Sequence, residues 1–219
     1  MLRNDLCPDC DKADCPFITI VTRCCKRPQA LLNNIRSLKA QTDPDYEQVF
    51  IFDKVGHGLA AADRSLNMYK NINCGDYIMV LDDDDIITDN KFIEKLKIIK
   101  KESSPNVIIW QGKFFSETKI LPLQDKFWGA RPIKCQIGSF NYCMTHELYT
   151  KYVNVCRTGF TGDFDFINRV YFSDEKPKIE WIPEVFVSCQ GSAGQGKIDG
   201  EVRTTSTGST RRVIKRGKT

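Results

Sequence analysis

The sequence predicts an α/β protein with a mostly parallel sheet flanked by helices. Short apolar segments rich in β-branched residues alternate with segments of helical period along residues 17–110. Strands that alternate with helices in this way favour parallel pairing. One apolar segment, residues 77–81, runs directly into four consecutive carboxylates at positions 82–85. We therefore expect a sheet that carries acids at the carboxyl ends of its strands, where open α/β folds bind ligands.

The first half of the chain predicts three strand–helix units and a fourth strand. The units are a strand at 17–22 with a helix from Pro28, a strand at 48–52 with a helix at 59–69, and a strand at 77–81 with a helix after Thr88-Asp89-Asn90. Pro28 suits the first turn of a helix because its φ is already close to the helical value. The fourth strand is predicted at 107–110.

After Gly112 the alternation becomes irregular. We expect short strand-like pieces at 114–115 and 137–143, helices at 145–153 and 166–172, and strands at 179–182 and 185–187. The aromatic residues of this part either shape a ligand pocket or fill the core, and the sequence leaves both open. They include Phe127, Trp128, Phe140 and Tyr142.

The domain organisation predicted for the 219 residues is one domain between two terminal segments. Residues 1–16 form a cysteine-containing extension, residues 17–190 the domain, and residues 191–219 a flexible basic tail or lid. A structural zinc site needs four ligands, and Cys7, Cys10 and Cys15 supply three. A zinc site and reduced thiols therefore both remain possible interpretations. The tail either contacts an anionic partner, such as a membrane surface, or is solvated.

Bulk properties exclude several classes of protein. A net charge of +4 is too small to indicate a nucleic-acid partner. No apolar run approaches the roughly 20 residues of a membrane-spanning helix. The amino terminus does not resemble a secretory signal, because acids and cysteines precede the first apolar segment. We therefore expect a cytoplasmic protein.

The acidic run at residues 82–85 is the strongest candidate for a functional site. Clustered carboxylates are hard ligands suited to Mg²⁺ or Mn²⁺, and through the metal to a diphosphate. A solvated acidic patch is the alternative. A calcium loop is excluded, because Ile86 and Ile87 stand where that loop needs polar residues and Gly.

The order of short motifs resembles the family 2 glycosyltransferases, which have the GT-A fold. The resemblance spans residues 17–190 and rests on six pieces in order: Val21-Thr22-Arg23-Cys24-Cys25-Lys26-Arg27-Pro28, Ala40-Gln41-Thr42, Phe50-Ile51-Phe52-Asp53, Gly75-Asp76-Tyr77-Ile78, Leu81-Asp82-Asp83-Asp84-Asp85, and Gly162-Asp163-Phe164-Asp165-Phe166 ahead of Arg169. It implies a GT-A sheet, similar to a Rossmann sheet, with a smaller mixed sheet on the acceptor side.

For the nucleotide, the resemblance implies binding by the loop after the first strand and by the acid that ends the second. Those residues are Thr22, Arg23, Cys25 and Asp53. A carboxylate such as Asp53 can accept hydrogen bonds from a base or a ribose, although it could simply end its strand as a turn residue. Arg64 matches a helix arginine near the diphosphate, with an exposed surface charge as the alternative.

The acidic run is similar to the DxD motif of the family. The resemblance implies that Asp84 is the main ligand of Mn²⁺ or Mg²⁺, together with Asp82, and that Asp82 and Asp83 contact the nucleotide-sugar. Both registers, Asp82-x-Asp84 and Asp83-x-Asp85, satisfy the motif.

Asp163 matches the catalytic position of the family. As a base it would take a proton from an acceptor hydroxyl during direct displacement with inversion. A helix cap at Asp163 and a base at Asp165 are the alternatives. His57 and His146 have structural explanations, as a turn residue and as the first residue of a helix.

The function implied is metal-dependent transfer of a hexosyl-type sugar from a nucleoside-diphosphate sugar, with UDP preferred, to a hydroxyl of a carbohydrate or another acceptor. A sugar nucleotidyltransferase and a non-catalytic nucleotide-sugar binding module are the rival hypotheses. A sugar nucleotidyltransferase would be expected to have a Gly-rich loop directly after the first strand. This sequence lacks that loop, because residues 23–28 contain no glycine.

Overall fold

A computed structural model describes residues 15–53, 59–72, 74–114, 119–155 and 161–189. Within these ranges, helices cover both faces of an eight-stranded sheet. The strands are β1 (Ile18–Cys24), β2 (Tyr46–Phe52), β3 (Tyr77–Val80), β4 (Asp85–Ile87), β5 (Val107–Lys113), β6 (Ile120–Leu121), β7 (Tyr142–Thr145) and β8 (Ile179–Cys189). The helices are α1 (Pro28–Lys39), α2 (Leu59–Met68), α3 (Phe92–Ser103), α4 (His146–Tyr152) and α5 (Gly162–Tyr171).

The strand order is β2-β1-β3-β7-β5-β8-β4, and β6 pairs with β5 outside this path. β1 pairs in parallel with both β2 and β3. β7 lies antiparallel between β3 and β5, and β8 runs parallel to β5. Most strands therefore point the same way, and the predicted mostly parallel sheet flanked by helices is confirmed. The mixed part of the sheet is continuous with the parallel part.

Alternation along the central strands divides the core between the two faces of the sheet. Tyr77 and Met79 of β3 pack on one face with side chains of α1 and α3. Ile78 and Val80 pack on the other face with side chains of α2, α4 and α5. Because both of its faces are covered, β3 is apolar at every position, as is typical of buried parallel strands.

The second half of the chain differs most from the prediction. The two strands predicted at 179–182 and 185–187 are one strand, β8, whose register against β5 shifts between Trp110 and Gly112. Residues 137–143 do not form one strand, because a 3₁₀ turn over Ser139–Asn141 precedes β7. β4 begins at Asp85, the last residue of the acidic run, and was not predicted from the sequence. A three-residue strand carries too little pattern to be recognised before its partner β8 is known.

Several predictions concern residues outside the described ranges, including Cys7 and Cys10 of the possible zinc group, His57 and the basic tail at 191–219. His146 is buried and is the first residue of α4, as predicted, and its backbone N–H donates to the Asp76 carbonyl at 3.0 Å. In the part of the chain that the structure describes, every helix is too short or too polar to cross a membrane.

Candidate active site

The carboxyl ends of β1, β2 and β3 meet at one edge of the sheet because these strands run parallel. Cys24 and Phe52, the last residues of β1 and β2, lie opposite each other. The chain leaves β3 beside them, and the Asp83 N–H donates to the Arg23 carbonyl at 3.2 Å. The acidic run therefore lies against the loop that follows β1.

Arg23 lies at the centre of this edge, with only 8% of its side chain exposed. Its Nε and Nη2 donate to the two carboxylate oxygens of Asp82 at 2.6 and 2.8 Å. Its Nη1 donates to Asp63 Oδ1 at 2.7 Å, and Nη2 lies 3.7 Å from Asp163 Oδ1. Burial alone would lower the pKa of Arg23, but the carboxylates of Asp82, Asp163 and Asp63 hold that pKa well above its ordinary value. The buried guanidinium therefore stays charged and connects three segments distant in sequence.

Arg27 is a second cation at the same edge, immediately before α1. It forms ion pairs with the carboxylates of Asp83 and Asp84. Asp83 Oδ2 also accepts a hydrogen bond from the Cys25 N–H at 2.9 Å. The amino terminus of α1 adds the positive end of a helix dipole. Two arginines and a helix terminus thus offset part of the negative charge of the acidic run.

A buried polar scaffold holds the acidic turn in place. Asn34 of α1 donates through Nδ2 to the carbonyl of Asp82 at 3.0 Å and to that of Asp85 at 2.8 Å. Gln48 of β2 donates to Asn34 Oδ1 at 2.7 Å and to Thr22 Oγ1 at 2.8 Å. Thr22 was predicted to bind the nucleotide. It is fully buried, and its hydroxyl is part of this hydrogen-bonded scaffold beneath the site.

The carboxylates of Asp82, Asp84 and Asp85 offer oxygen atoms that all lie within 4.8 Å of one another. Burial raises the pKa of Asp83 to about 7, against the lowering effect of Arg27. Burial and then Asp84 and Asp82 raise the pKa of Asp85 well above its ordinary value. Crowded, buried carboxylates that resist ionisation gain from a divalent cation, and oxygen donors of this kind suit Mg²⁺ or Mn²⁺. The donor type therefore fits the predicted metal, while Arg23 and Arg27 hold the carboxylates of Asp82 and Asp84 in the structure.

Asp163 lies in the first turn of α5, which begins one residue earlier at Gly162, so Asp163 does not cap the helix. The Tyr142 hydroxyl donates to the backbone carbonyl of Asp163 at 3.0 Å. Burial raises the pKa of the Asp163 carboxyl, and Arg23 counteracts that rise. Asp165, the rival base, accepts a hydrogen bond from the Thr161 hydroxyl at 2.8 Å. Asp163 is therefore the acid of this turn that contacts the Arg23 cluster.

The structure assigns the inward-facing position of α2 to Asp63, not to the predicted Arg64. Asp63 is 2% exposed and contacts Arg23, whereas Arg64 lies exposed on the helix surface. Asp63 is three residues before the buried Leu66, a spacing that places both on one helix face. That spacing could have indicated Asp63 from the sequence. Asp53, at the end of β2, is partly exposed at the same sheet edge.

Asp63 also explains the glycine that precedes Asp163. A Cβ atom added at Gly162 would lie 2.5 Å from Asp63 Oδ2 and 3.1 Å from its Cγ. The Asp63 carboxylate cannot easily move away, because Arg23 holds it in a buried position. Gly162 is therefore the residue that lets α2 and α5 meet at the site.

We expect Gly162→Ala to lower the free energy of unfolding by about 1–2 kcal/mol. The added methyl group overpacks a buried contact, which costs typically 1–3 kcal/mol, and the better helix propensity of Ala recovers only about 0.5–1 kcal/mol. Urea denaturation measures the change. In an Asp63→Ala background the penalty should disappear, because the two effects share one contact. An equal loss in both backgrounds would contradict the proposed packing.

The fold and the site define an α/β protein whose parallel-strand edge holds buried carboxylates between two arginines. No protein-family model matches the chain, and no curated protein matches it. Its fold is similar to that of S. aureus TarS in three solved structures. The complex with UDP-GlcNAc has a TM-score of 0.59 at 9% identity, over 84% of this chain and 61% of that one. The complex with UDP has a TM-score of 0.56 at 8% identity, over 78% and 59%.

A longer TarS structure has a TM-score of 0.58 at 10% identity, over 78% of this chain and 36% of that chain. The present chain thus spans between about one third and three fifths of the structures it resembles. At such low identity the likeness establishes the fold class.

Proposed function

We propose that the chain is a glycosyltransferase that moves a hexosyl or N-acetylhexosaminyl group from a UDP-sugar to an acceptor hydroxyl. The observation that carries this proposal is the Arg23 guanidinium, which joins the acidic run after β3 to Asp163 at the start of α5. Arg23 thereby connects the sheet edge that we propose binds the donor to Asp163, the proposed base. The resemblance to family 2 glycosyltransferases and the UDP and UDP-GlcNAc complexes of TarS support this choice of donor.

In this proposal the donor lies along the carboxyl edge of β1–β3. Asp53 accepts hydrogen bonds from the base or the ribose, and Asp82 lies on the nucleotide-sugar side. Asp83 was also predicted to contact the nucleotide-sugar, but its side chain is 1% exposed and pairs with Arg27, so it supports the site from within. The amino terminus of α1 provides positive charge for the diphosphate, and Arg27 holds the carboxylates of Asp83 and Asp84 in place. Asp84 and Asp82 would hold Mn²⁺ or Mg²⁺. When bound there, the ion supplies charge neutralisation for the departing diphosphate.

Asp163 acts as the general base. Its carboxylate takes the proton of the acceptor hydroxyl while that oxygen forms a bond to the anomeric carbon. The bond from the anomeric carbon to the diphosphate oxygen breaks at the same time, and UDP leaves with the electron pair. Attack opposite the leaving group inverts the anomeric centre. Arg23 holds Asp163 near the donor-side Asp82 and keeps its carboxyl closer to the ionised form.

A panel of nucleotide-sugars tests the proposal. The full chain is incubated with Mn²⁺ and each donor, with and without acceptors, and release of the nucleoside diphosphate is followed. We expect UDP release from a UDP-hexose or UDP-N-acetylhexosamine. Pyrophosphate exchange from a nucleoside triphosphate would instead indicate a sugar nucleotidyltransferase. Tight UDP-sugar binding without turnover on any acceptor would indicate a binding module.

A further inference from the structure

Arg27 shares one carboxylate with the candidate metal cluster. The cluster consists of Asp82, Asp84 and Asp85, which offer oxygen atoms within 4.8 Å of one another. Arg27 forms one ion pair with Asp84 through Nη1 and a second with Asp83, an acid outside the cluster, through Nη2. The guanidinium therefore has one partner inside the cluster and one partner outside it.

Arg27 is less firmly anchored than Arg23, which lies at the same edge of the sheet. All three guanidinium nitrogens of Arg23 donate hydrogen bonds to Asp63 or Asp82. Arg27 pairs through its two terminal nitrogens, and its buried Nε lacks a hydrogen-bond partner within the described residues. Turning Arg27 away from Asp84 breaks one ion pair, whereas turning Arg23 away from Asp82 breaks two hydrogen bonds. Arg27 is therefore the arginine that can yield its place.

A divalent ion and the Arg27 guanidinium are both attracted to the Asp84 carboxylate. The side chains of Arg27 and Asp84 are 10% and 13% exposed, so water screens little of the repulsion between two cations placed there. Arginine also keeps its charge at neutral pH, because its pKa lies above about 12. The repulsion can therefore be relieved by moving the guanidinium and not by neutralising it.

We propose that Arg27 competes with the divalent ion for Asp84 and thereby sets the metal affinity of the site. When the ion binds, the Arg27 guanidinium turns away from Asp84 and keeps Asp83 as its partner. Arg27 could instead be a fixed counter-ion of the acidic run, and in that case its removal would not strengthen metal binding. The inference rests on the metal site of the proposed function, but the binding step itself needs no catalysis.

Titration of Mn²⁺ followed by electron paramagnetic resonance measures metal binding without any donor. We expect Arg27→Gln to bind Mn²⁺ roughly 10–100-fold more tightly than the wild type, the range over which the neighbours of metal ligands change metal affinity. Lys26→Gln is the matched control, because it removes the same charge from the adjacent residue, whose side chain is exposed. Its Mn²⁺ affinity should change by less than about threefold, since salt and water screen an exposed charge.

Side-chain ¹⁵N spectra of the wild type test the movement itself, independently of how well Arg27→Gln folds. Arg27→Lys retains the positive charge and identifies the Arg27 signals by their loss. Because the Asp84 contact restrains rotation of the guanidinium, a saturating concentration of Mg²⁺ should speed the exchange between the two Nη groups of Arg27. Arg36, an exposed arginine of α1, should show no such change.

The outcomes separate the competition from the proposed reaction. Equal Mn²⁺ affinity in the wild type and Arg27→Gln would overturn the inference, as would an equal gain in Lys26→Gln. Restrained Arg27 Nη groups at saturating Mg²⁺, or no binding of a divalent ion by any of these proteins, would overturn it as well. Tighter Mn²⁺ binding by Arg27→Gln, with no UDP release from any UDP-sugar by the wild type, would overturn sugar transfer and retain the competition at Asp84.

Discussion

Replacing Asp163 with Asn is expected to lower the rate of sugar transfer by roughly 10²–10⁴-fold and to leave UDP-sugar binding nearly unchanged. Asparagine has almost the same shape but cannot accept the proton of the acceptor hydroxyl. The closest approach of Asp163 to Arg23 is 3.7 Å, whereas Asp63 and Asp82 bind that arginine at 2.6–2.8 Å. The fold should therefore tolerate the change. Steady-state kinetics and calorimetric titration of UDP measure the two effects.

Asp165→Asn is the matched control, because Asp165 is in the same turn and its carboxylate binds the Thr161 hydroxyl. The pH dependence gives a second measurement. The base works only when ionised, and burial raises the pKa of Asp163. The transfer rate should therefore fall, as pH decreases, at a pH above the usual pKa of an aspartate. A wild-type rate in Asp163→Asn would refute the assignment, as would an equal loss in Asp165→Asn.

Asp84→Ala is expected to abolish the part of UDP binding that depends on Mn²⁺. Loss of a residue that merely supports a metal ligand weakens metal binding typically 10–100-fold, so loss of the ligand itself should exceed about 100-fold. Arg27 keeps Asp83 as an ion-pair partner in this variant, so its charge is not left buried alone. Calorimetric titration of UDP, with Mn²⁺ and with a chelator, measures the difference.

Asp174→Ala is the control for this experiment, because Asp174 is an exposed carboxylate in the turn after α5. Asp82→Ala and Asp85→Ala extend the test to the other two acids of the cluster. The proposed register predicts a larger loss of metal-dependent binding for Asp82 than for Asp85. Wild-type UDP affinity for Asp84→Ala in the presence of Mn²⁺ would exclude Asp84 as the main ligand.

The sequence predicted the parallel half of the sheet well because its signals are local. Each strand there is a short apolar segment and each helix has an apolar face, so residues 17–110 contain nearly all the information needed to recognise them. The acidic run could also be placed at a strand end from its neighbours alone. The insertion of β7 between β3 and β5 could not be predicted, because strand pairing over long sequence distances leaves no local pattern.

Within the site, the sequence alone determined which residue types were present: a run of four acids, one arginine near the end of the first strand and one just after it, and an Asp at position 163. The tertiary structure decided how their charges pair. Asp63, Asp82 and Asp163 come from α2, the turn after β3 and α5, and they meet only because the folded sheet brings these elements around Arg23. A buried guanidinium needs carboxylate partners, and only the folded chain determines which ones lie within reach.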